Sequence, residues 1–514
     1  MSTVNHKKWW VLTAVSLLCI LLNIDVTAVN LAIPPIAHAF HADLNNMQWI
    51  VTGYVLTCAI FTIPGGQFGD RFGHALTFNT GTILFGLASL LGAMSQSTEV
   101  LITARIIQGI AMGIAMPVSI ALIYDVFPVK QYGLAMGLVM ASVGFGTAVG
   151  PTLSGVLLHY LDWRWIFYIN VPICLLTFLV SLYGNPKHVE KKQVSFDLIG
   201  NLVLFVSLLG LALAANQGQA WGFQSIKFQT VLWGGLLAFI VLYFVEKNKA
   251  APAFDFSLFS VHNFRTIFFI RVFFQMAVIP IFFFIPIYLS DIASFSSLET
   301  GMIMLFFTAV LGISSPFFGY WTDKMDVRTP HIIATIMMLI ATTLFCYLPT
   351  QPSLVALSFP LILTGLSCSL IFIITMNGAI SAVSPEKSGV ASGVLFCFCW
   401  LTCGIGVGIF GTIIDYVSHG QVLHALQQLG MSIAPAEKEA LLRAASGIVP
   451  LHQLVHNYPA HSAQLLHITS FSFMSGFKLA LRVITGFSLI CVILSFFVDP
   501  KKPTHKQDVQ HIAV

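Results

Sequence analysis

The feature that most constrains this chain is a series of apolar stretches, each about 20 residues long, separated by short polar or Gly/Pro-containing breaks. As an α-helix, a stretch of that length spans the ~30 Å hydrocarbon core of a bilayer. In hydrocarbon, backbone N–H and C=O groups find no water, and a helix satisfies them within one segment. Fourteen spans can be read, roughly 9–31, 47–67, 75–95, 99–123, 133–158, 163–184, 197–215, 227–246, 265–289, 299–321, 330–349, 354–382, 388–416 and 476–498. The expected fold class is therefore an all-α polytopic membrane protein with 14 transmembrane helices.

Composition excludes the alternatives. Of 514 residues, 57% are hydrophobic and 9% charged, against about 25% charged in a soluble domain. No polar stretch is long enough for a separate soluble domain of ordinary size. The nine cysteines fall inside apolar spans, without the spacing of a metal site or disulfide framework, and read as small core residues. Lys7 and Lys8 precede an apolar run too long for a signal peptide and lacking a small-residue cleavage site, so this run is expected to remain as the first membrane helix.

Orientation follows from the basic residues. An N-terminus inside places 16 of the 24 lysines and arginines in cytoplasmic segments and only five in outer loops. The even span count then puts both termini in the cytoplasm. Arg105, Arg271 and Arg482 remain within helices; Arg271 and Arg482 are expected to snorkel toward the membrane surfaces.

The chain repeats itself. Pro128-Val-Lys130-Gln-Tyr-Gly133 is echoed by Pro385-Glu-Lys387-Ser-Gly389, and Gly69-Asp70-Arg71 by Thr322-Asp323-Lys324. The offsets are 257 and 253 residues, and each copy lies in a cytoplasmic loop. Two parallel six-helix halves with two helices inserted between them account for both offsets, a known transporter plan. The expected division is an N-terminal bundle over 1–184, two inserted helices with linkers over 185–263, a C-terminal bundle over 264–498 containing an outer loop at 417–475, and a cytoplasmic tail over 499–514.

Five local patterns, in order and at matching helices, resemble the major facilitator superfamily in its fourteen-spanning drug:proton antiporter (EmrB/QacA-type) branch. They are Leu22-Asn-Ile-Asp25-Val-Thr-Ala-Val-Asn30-Leu-Ala-Ile-Pro34, Gly66-Gln-Phe-Gly69-Asp70-Arg71-Phe-Gly73, Arg105-Ile-Ile-Gln108-Gly109, Gly146-Thr-Ala-Val-Gly150-Pro151-Thr-Leu-Ser154-Gly155 and Trp163-Arg164-Trp165-Ile-Phe-Tyr-Ile-Asn170-Val-Pro172. The resemblance implies two six-helix bundles plus two inserted helices, driven by the proton gradient without a bound cofactor. In a host with two membranes it implies an inner-membrane location and a periplasmic adaptor and outer-membrane channel as partners. The chain departs from the family where basic residues usually follow the second pattern. His74 and Ala75 stand there, implying weaker charge contacts at the cytoplasmic gate.

An intramembrane acid is costly and therefore a functional candidate. Asp25 lies about 15 residues into the first span and Arg105 six residues after Glu99 in the fourth, which places both about 8–9 Å below the outer edge of the core. They are expected to form the proton-coupling pair, Asp25 taking up a proton from outside and releasing it inward. Asp70 with Arg71 and Asp323 with Lys324 are expected to latch the two halves. Gly150-Pro151 is expected to break the fifth helix and act as a bending point in the gate. Trp49, Tyr54, Phe145, Phe274, Gln275, Met276 and Asn377 are candidate walls of a substrate cavity, since amphipathic cargo suits aromatic and methionine surfaces. Asn30 and Gln108 join them as polar groups that also suit interhelical hydrogen bonds.

The segment 417–475 holds six histidines, of which His452 and His456 have the i,i+4 spacing that suits a metal. Without a nearby carboxylate or cysteine, no metal site is expected. The segment reads instead as a hairpin capping the outer vestibule, with a short amphipathic helix from Pro435 to Ala445. Phosphate-binding Gly-x-x-x-x-Gly-Lys-Ser/Thr and metalloprotease His-Glu-x-x-His motifs are absent, so neither an enzyme nor an ATP-driven pump is expected, and nothing points to nucleic acid. The function this supports is proton-coupled export of amphipathic or lipophilic small molecules. The alternatives are a dedicated transporter of one metabolite, such as a siderophore, and a non-transporting membrane sensor.

Overall fold

The computed structural model describes residues 2–40, 44–184, 197–222, 224–249, 252, 254–384, 387–428, 435–445 and 462–500. Among these residues the chain is helical throughout its regular elements, with no strand. The helices are α1 (Ser2–Phe40), α2 (Leu44–Phe72), α3 (His74–Ala93), α4 (Thr98–Val126), α5 (Tyr132–Tyr160), α6 (Trp165–Tyr168), α7 (Asn170–Gly184), α8 (Leu198–Trp221) and α9 (Ile226–Glu246), followed by α10 (His262–Ile287), α11 (Ser297–Lys324), α12 (Arg328–Phe345), α13 (Leu354–Ser381), α14 (Ser388–Gln428), α15 (Pro435–Ala445) and α16 (Ser462–Ser495). Thirteen helices among the described residues are long and apolar enough to cross a membrane, α6 and α7 counting as one. The shorter apolar stretch Ile199–Ala215 in α8, paired with α9, makes fourteen.

Several helices start on side-chain caps that satisfy otherwise orphaned N–H groups. Ser97, Asp197, Ser225 and Ser353 accept from the backbone of α4, α8, α9 and α13. Ser296 and Glu299 form a full capping box at α11.

Helices α1–α7 pack on one another as one bundle, and α10–α14 with α16 as a second. The bundles meet along two seams, α5 against α11 and α2 against α14, while the α8–α9 pair leans on α2 and α14. Both seams depend on missing side chains. A Cβ on Gly133 or Gly137 would collide with the carbonyl oxygens of Gly319 or Ser315, and one on Gly66 with that of Gly389. The named close approaches lie toward the end of the bundles that carries the chain termini. There Lys8 donates to Gln131 (2.9 Å) and Arg328 to the Val498 carbonyl (2.6 Å).

Two sequence expectations change. Helix α5 runs unbroken through Gly150-Pro151, because Gly150 serves close packing: a Cβ there would strike Thr27 of α1. The segment 417–475 is not simply a loop. Helix α14 continues to Gln428 and α16 begins at Ser462. With 41 residues, α14 is roughly 60 Å long, twice the hydrocarbon thickness. The helix expected at Pro435–Ala445 forms there as α15, burying Leu441, Ala444 and Ala445 against Val422, Leu426 and Ile468. His452, His456 and His461 lie outside the described residues, and among those described no group of three metal-ligating side chains occurs.

Candidate functional site

A charged network lies sealed inside the first bundle. Helix α1 brings Asp25, α4 brings Arg105 and Gln108, α7 brings Asn170 and α3 brings Ser89, all at most 1% exposed. Arg105 Nη1 donates to Asp25 Oδ2 (2.6 Å) and to Gln108 Oε1 (2.8 Å), and Arg105 Nε to the Ile50 carbonyl (3.1 Å). The other carboxylate oxygen, Oδ1, accepts from Asn170 Nδ2 (2.8 Å). Gln108 Nε2 donates to Ser89 Oγ (2.7 Å), closing the network onto α3. The guanidinium lies 4.2 Å from the centroid of the buried Tyr54 ring, so Tyr54 belongs to this cluster rather than to a cavity wall.

An ion pair removed from water gains only if its remaining donors and acceptors are met, and α2, α4 and α7 supply them here through Ile50, Gln108 and Asn170. Removing the charge on Asp25 would leave Arg105 held by Ile50, Gln108 and Tyr54 alone, so one protonation event bears directly on the packing of α1 against α4 and α7. Asn170 and Ser89 carry no expected role from sequence. Their signal was a polar side chain within an apolar span, in Asn170's case inside the quoted Trp163–Pro172 pattern.

At the terminal end, each seam is closed by a carboxylate facing a helix N-terminus of the opposite bundle. Asp323, from α11, accepts from the Gly133 and Leu134 backbone N–H groups that start α5 (2.6 and 3.0 Å). Asp70, from α2, faces the start of α14, where a Cβ on Gly389 would strike its carboxylate. Exposed N–H groups and the helix dipole favour an anion at both places. The paired arrangement is the structural counterpart of the sequence repeat. Lys324 instead donates to Tyr320 of its own helix (2.5 Å), and Arg71 lies over the Phe72 ring.

The weaker gate charge implied by His74 is overturned. Its Nδ1 lies 2.5 Å from Asp125 Oδ2 at the end of α4 and its Nε2 3.2 Å from Asp70 Oδ1. The imidazole thus occupies the place of a basic residue between two carboxylates.

The candidate cavity residues scatter. Trp49 and Phe145 are 37% and 57% exposed. Phe145 lines a lateral groove of about 760 Å³ among α1, α5 and α11 rather than a central wall. Asn30 is exposed and bonds the Val26 carbonyl of its own helix (3.1 Å), not a neighbouring helix. Asn377 accepts from Tyr124 OH across the bundles (2.6 Å) and lines a cavity of about 90 Å³ with Tyr132 and Asp323, next to the gate. Phe274 and Gln275 are buried on α10, and Met276 packs against Gly406 of α14. Arg271 does not snorkel: it is 7% exposed, its guanidinium 3.9 Å from the Phe372 ring centroid.

Two helical bundles in a membrane-spanning chain, with a sealed ion pair in one and aspartate-closed seams between them, define a polytopic membrane transporter rather than an enzyme. The chain belongs to the Major Facilitator Superfamily, whose profile matches residues 15–409. It is 26% identical over 513 residues to the tetracenomycin C resistance and export protein of Streptomyces glaucescens, covering 98% of this chain and 94% of that one. It is also 26% identical over 501 residues to the multidrug resistance protein Stp of Mycobacterium tuberculosis, covering 94% and 90%. Among solved structures, the proton:xylose symporter XylE aligns over 99% of both chains with a TM-score of 0.62 at 14% identity, a likeness of fold.

Proposed function

We propose that this protein is a proton-coupled exporter of amphipathic small molecules, residing in the cytoplasmic (inner) membrane with both termini in the cytoplasm and working by alternating access. The carrying observation is the sealed Asp25–Arg105–Asn170 network, a titratable carboxylate whose partners come from separate helices of one bundle. The export direction is supported by relatives named for antibiotic resistance and export.

In this reading the two bundles, with the boundaries given above, rock about the fixed inserted pair. Deprotonated Asp25 holds Arg105. A proton arriving from the outer side neutralises the carboxylate, releases the guanidinium and loosens α1 from α4. Asp70 and Asp323, facing the starts of α14 and α5, hold the cytoplasmic side shut in the outward-facing state, and His74 keeps Asp70 in position. An outer-membrane channel and periplasmic adaptor would meet the projecting α14–α16 end.

The test is proton release from the purified full-length protein on adding a panel of amphipathic compounds. Wild-type protein is expected to release protons, and Asp25→Asn protein to release none while still binding the compound. Equal release from both would remove Asp25 as the coupling site.

A further inference from the structure

The two bundles differ in how they balance buried charge. In the first, Arg105 is matched by Asp25. In the second, Arg271 has no carboxylate within ion-pair distance among the described residues, although it is 7% exposed. It stands nine residues into α10, about 14 Å along a helix that crosses a ~30 Å core, and so near mid-membrane. Its Nε bonds the Cys399 thiol sulfur of α14 (3.0 Å), and its plane lies against Phe372 of α13. Neither partner carries a formal charge, and Nη1 has no hydrogen-bond partner among the described residues.

One turn further along the same face, Gln275 repeats the pattern. Its Nε2 bonds Cys403 (3.1 Å), while Oε1 is buried without a partner. Such orphans are rare, because each forfeits the solvation it had in water. Two of them one turn apart, beside an unneutralised cation, point to a polar group that is absent when the site is empty. The surroundings are apolar and aromatic: Phe372 is only part-buried and packs edge-on against Phe274, 6.3 Å between centroids. Helix α14 also forms one of the two seams with the other bundle, and α13 touches α5 beside the second.

We infer that Arg271 and Gln275 form a substrate-binding site for an organic anion, a carboxylate or acidic phenol on an aromatic body. The acidic oxygen accepts from Arg271 Nη1, Gln275 Oε1 is left to accept from any hydroxyl or N–H that the ligand carries, and the apolar body lies along the part-buried Phe372. The guanidinium suits this better than an ammonium would, since its planar face already stacks on a ring while its edge donates. The site deepens the exporter reading and rests on it, making this chain select for anionic amphipaths.

The test uses full-length protein in detergent, titrated near neutral pH with fluorescent 9-anthracenecarboxylate and with its methyl ester, which has the same rings and no charge. Wild-type protein is expected to bind the acid at least about tenfold more tightly than the ester. In Arg271→Gln the preference is expected to vanish with ester affinity retained, and in Arg271→Lys to survive in part. Equal binding of acid and ester by wild type, a preference undiminished in Arg271→Gln, or no binding of either probe overturns the inference. Should Arg271→Gln not fold, the wild-type comparison and Arg271→Lys still decide. Asp25→Asn separates this inference from proton coupling. It is expected to keep the acid preference while losing proton release, so either claim can fail alone.

Discussion

The buried network fixes how individual residues respond to substitution. Truncating Arg105 leaves the Asp25 carboxylate without its charge partner in an interior where Asn170 is the other donor within reach, and broken buried pairs cost about 3–5 kcal/mol. Arg105→Ala is therefore expected to lower the thermal midpoint of the detergent-solubilised protein strongly. Asn170→Ala removes one hydrogen bond to the same carboxylate and should cost less, about 1–3 kcal/mol. Equal effects from the two would mean the charge adds nothing beyond a hydrogen bond. At this scale the sequence was readable where a residue is chemically out of place. Asp25 and Arg105 stand out in apolar runs, and counting 1.5 Å per residue put them at one depth. Asn170 was not readable as their partner, since one amide on a span says that a partner exists without naming it. The expectation that Arg271 snorkels fails because α13 and α14, through Phe372 and Cys399, decide which way its side chain goes.

At the scale of elements, spans were legible because hydrocarbon permits so few structures, but helix ends were not where helices leave the membrane. Nothing in the hydropathy pattern marks the polar continuation of α14 past residue 416, which is stabilised by packing with α15 and α16. The linker into α10 shows how such ends are tied. Asp255 caps the short turn Phe256–Ser260 through Ser257 N–H (2.9 Å) and pairs with Lys387 (2.5 Å) just before α14. Burial pushes the Asp255 carboxyl up, but hydrogen bonds from Lys387 and Ser257, with the nearby ammonium charge, outweigh it and hold the carboxyl below its ordinary range. A depressed carboxylate stabilises the fold above its unfolded value of about 3.9, and that contribution is lost as pH falls through the lower folded value. Lys387→Ala should thus be less stable than wild type at neutral pH, by under about 1 kcal/mol since Lys387 is 44% exposed. In thermal unfolding, the gap should close as the pH falls below the ordinary carboxylate range; a gap that widens on acidification would show that Lys387 acts through another group.

For the whole molecule, the question is whether the two seams open together. Asp323 closes α11 on α5 through the Gly133 and Leu134 N–H groups, and Asp70 closes α2 on α14 beside Gly389. If each seam were a local contact, weakening one would leave the other in place. If the bundles move as rigid bodies, each aspartate holds the same closed state, and loss of either shifts both seams. Spin labels at Lys130 and Tyr320 report on the first seam, and at Phe72 and Lys387 on the second, all at surface-accessible positions. Under the rigid-body reading, Asp323→Asn lengthens the Phe72–Lys387 distance as well as its own, and Asp70→Asn does the reverse. Each removes one carboxylate charge from a helix N-terminus, worth about 1 kcal/mol, enough to change the open-to-closed ratio several-fold. The glycines favour this outcome: Gly144 would meet Gly312 at 2.6 Å if given a Cβ, so the α5–α11 seam cannot slide past a side chain and must part along its length. Labels that respond only to the substitution in their own seam would instead mean that the bundles bend internally, and the aspartates would then be two separate clasps rather than one latch.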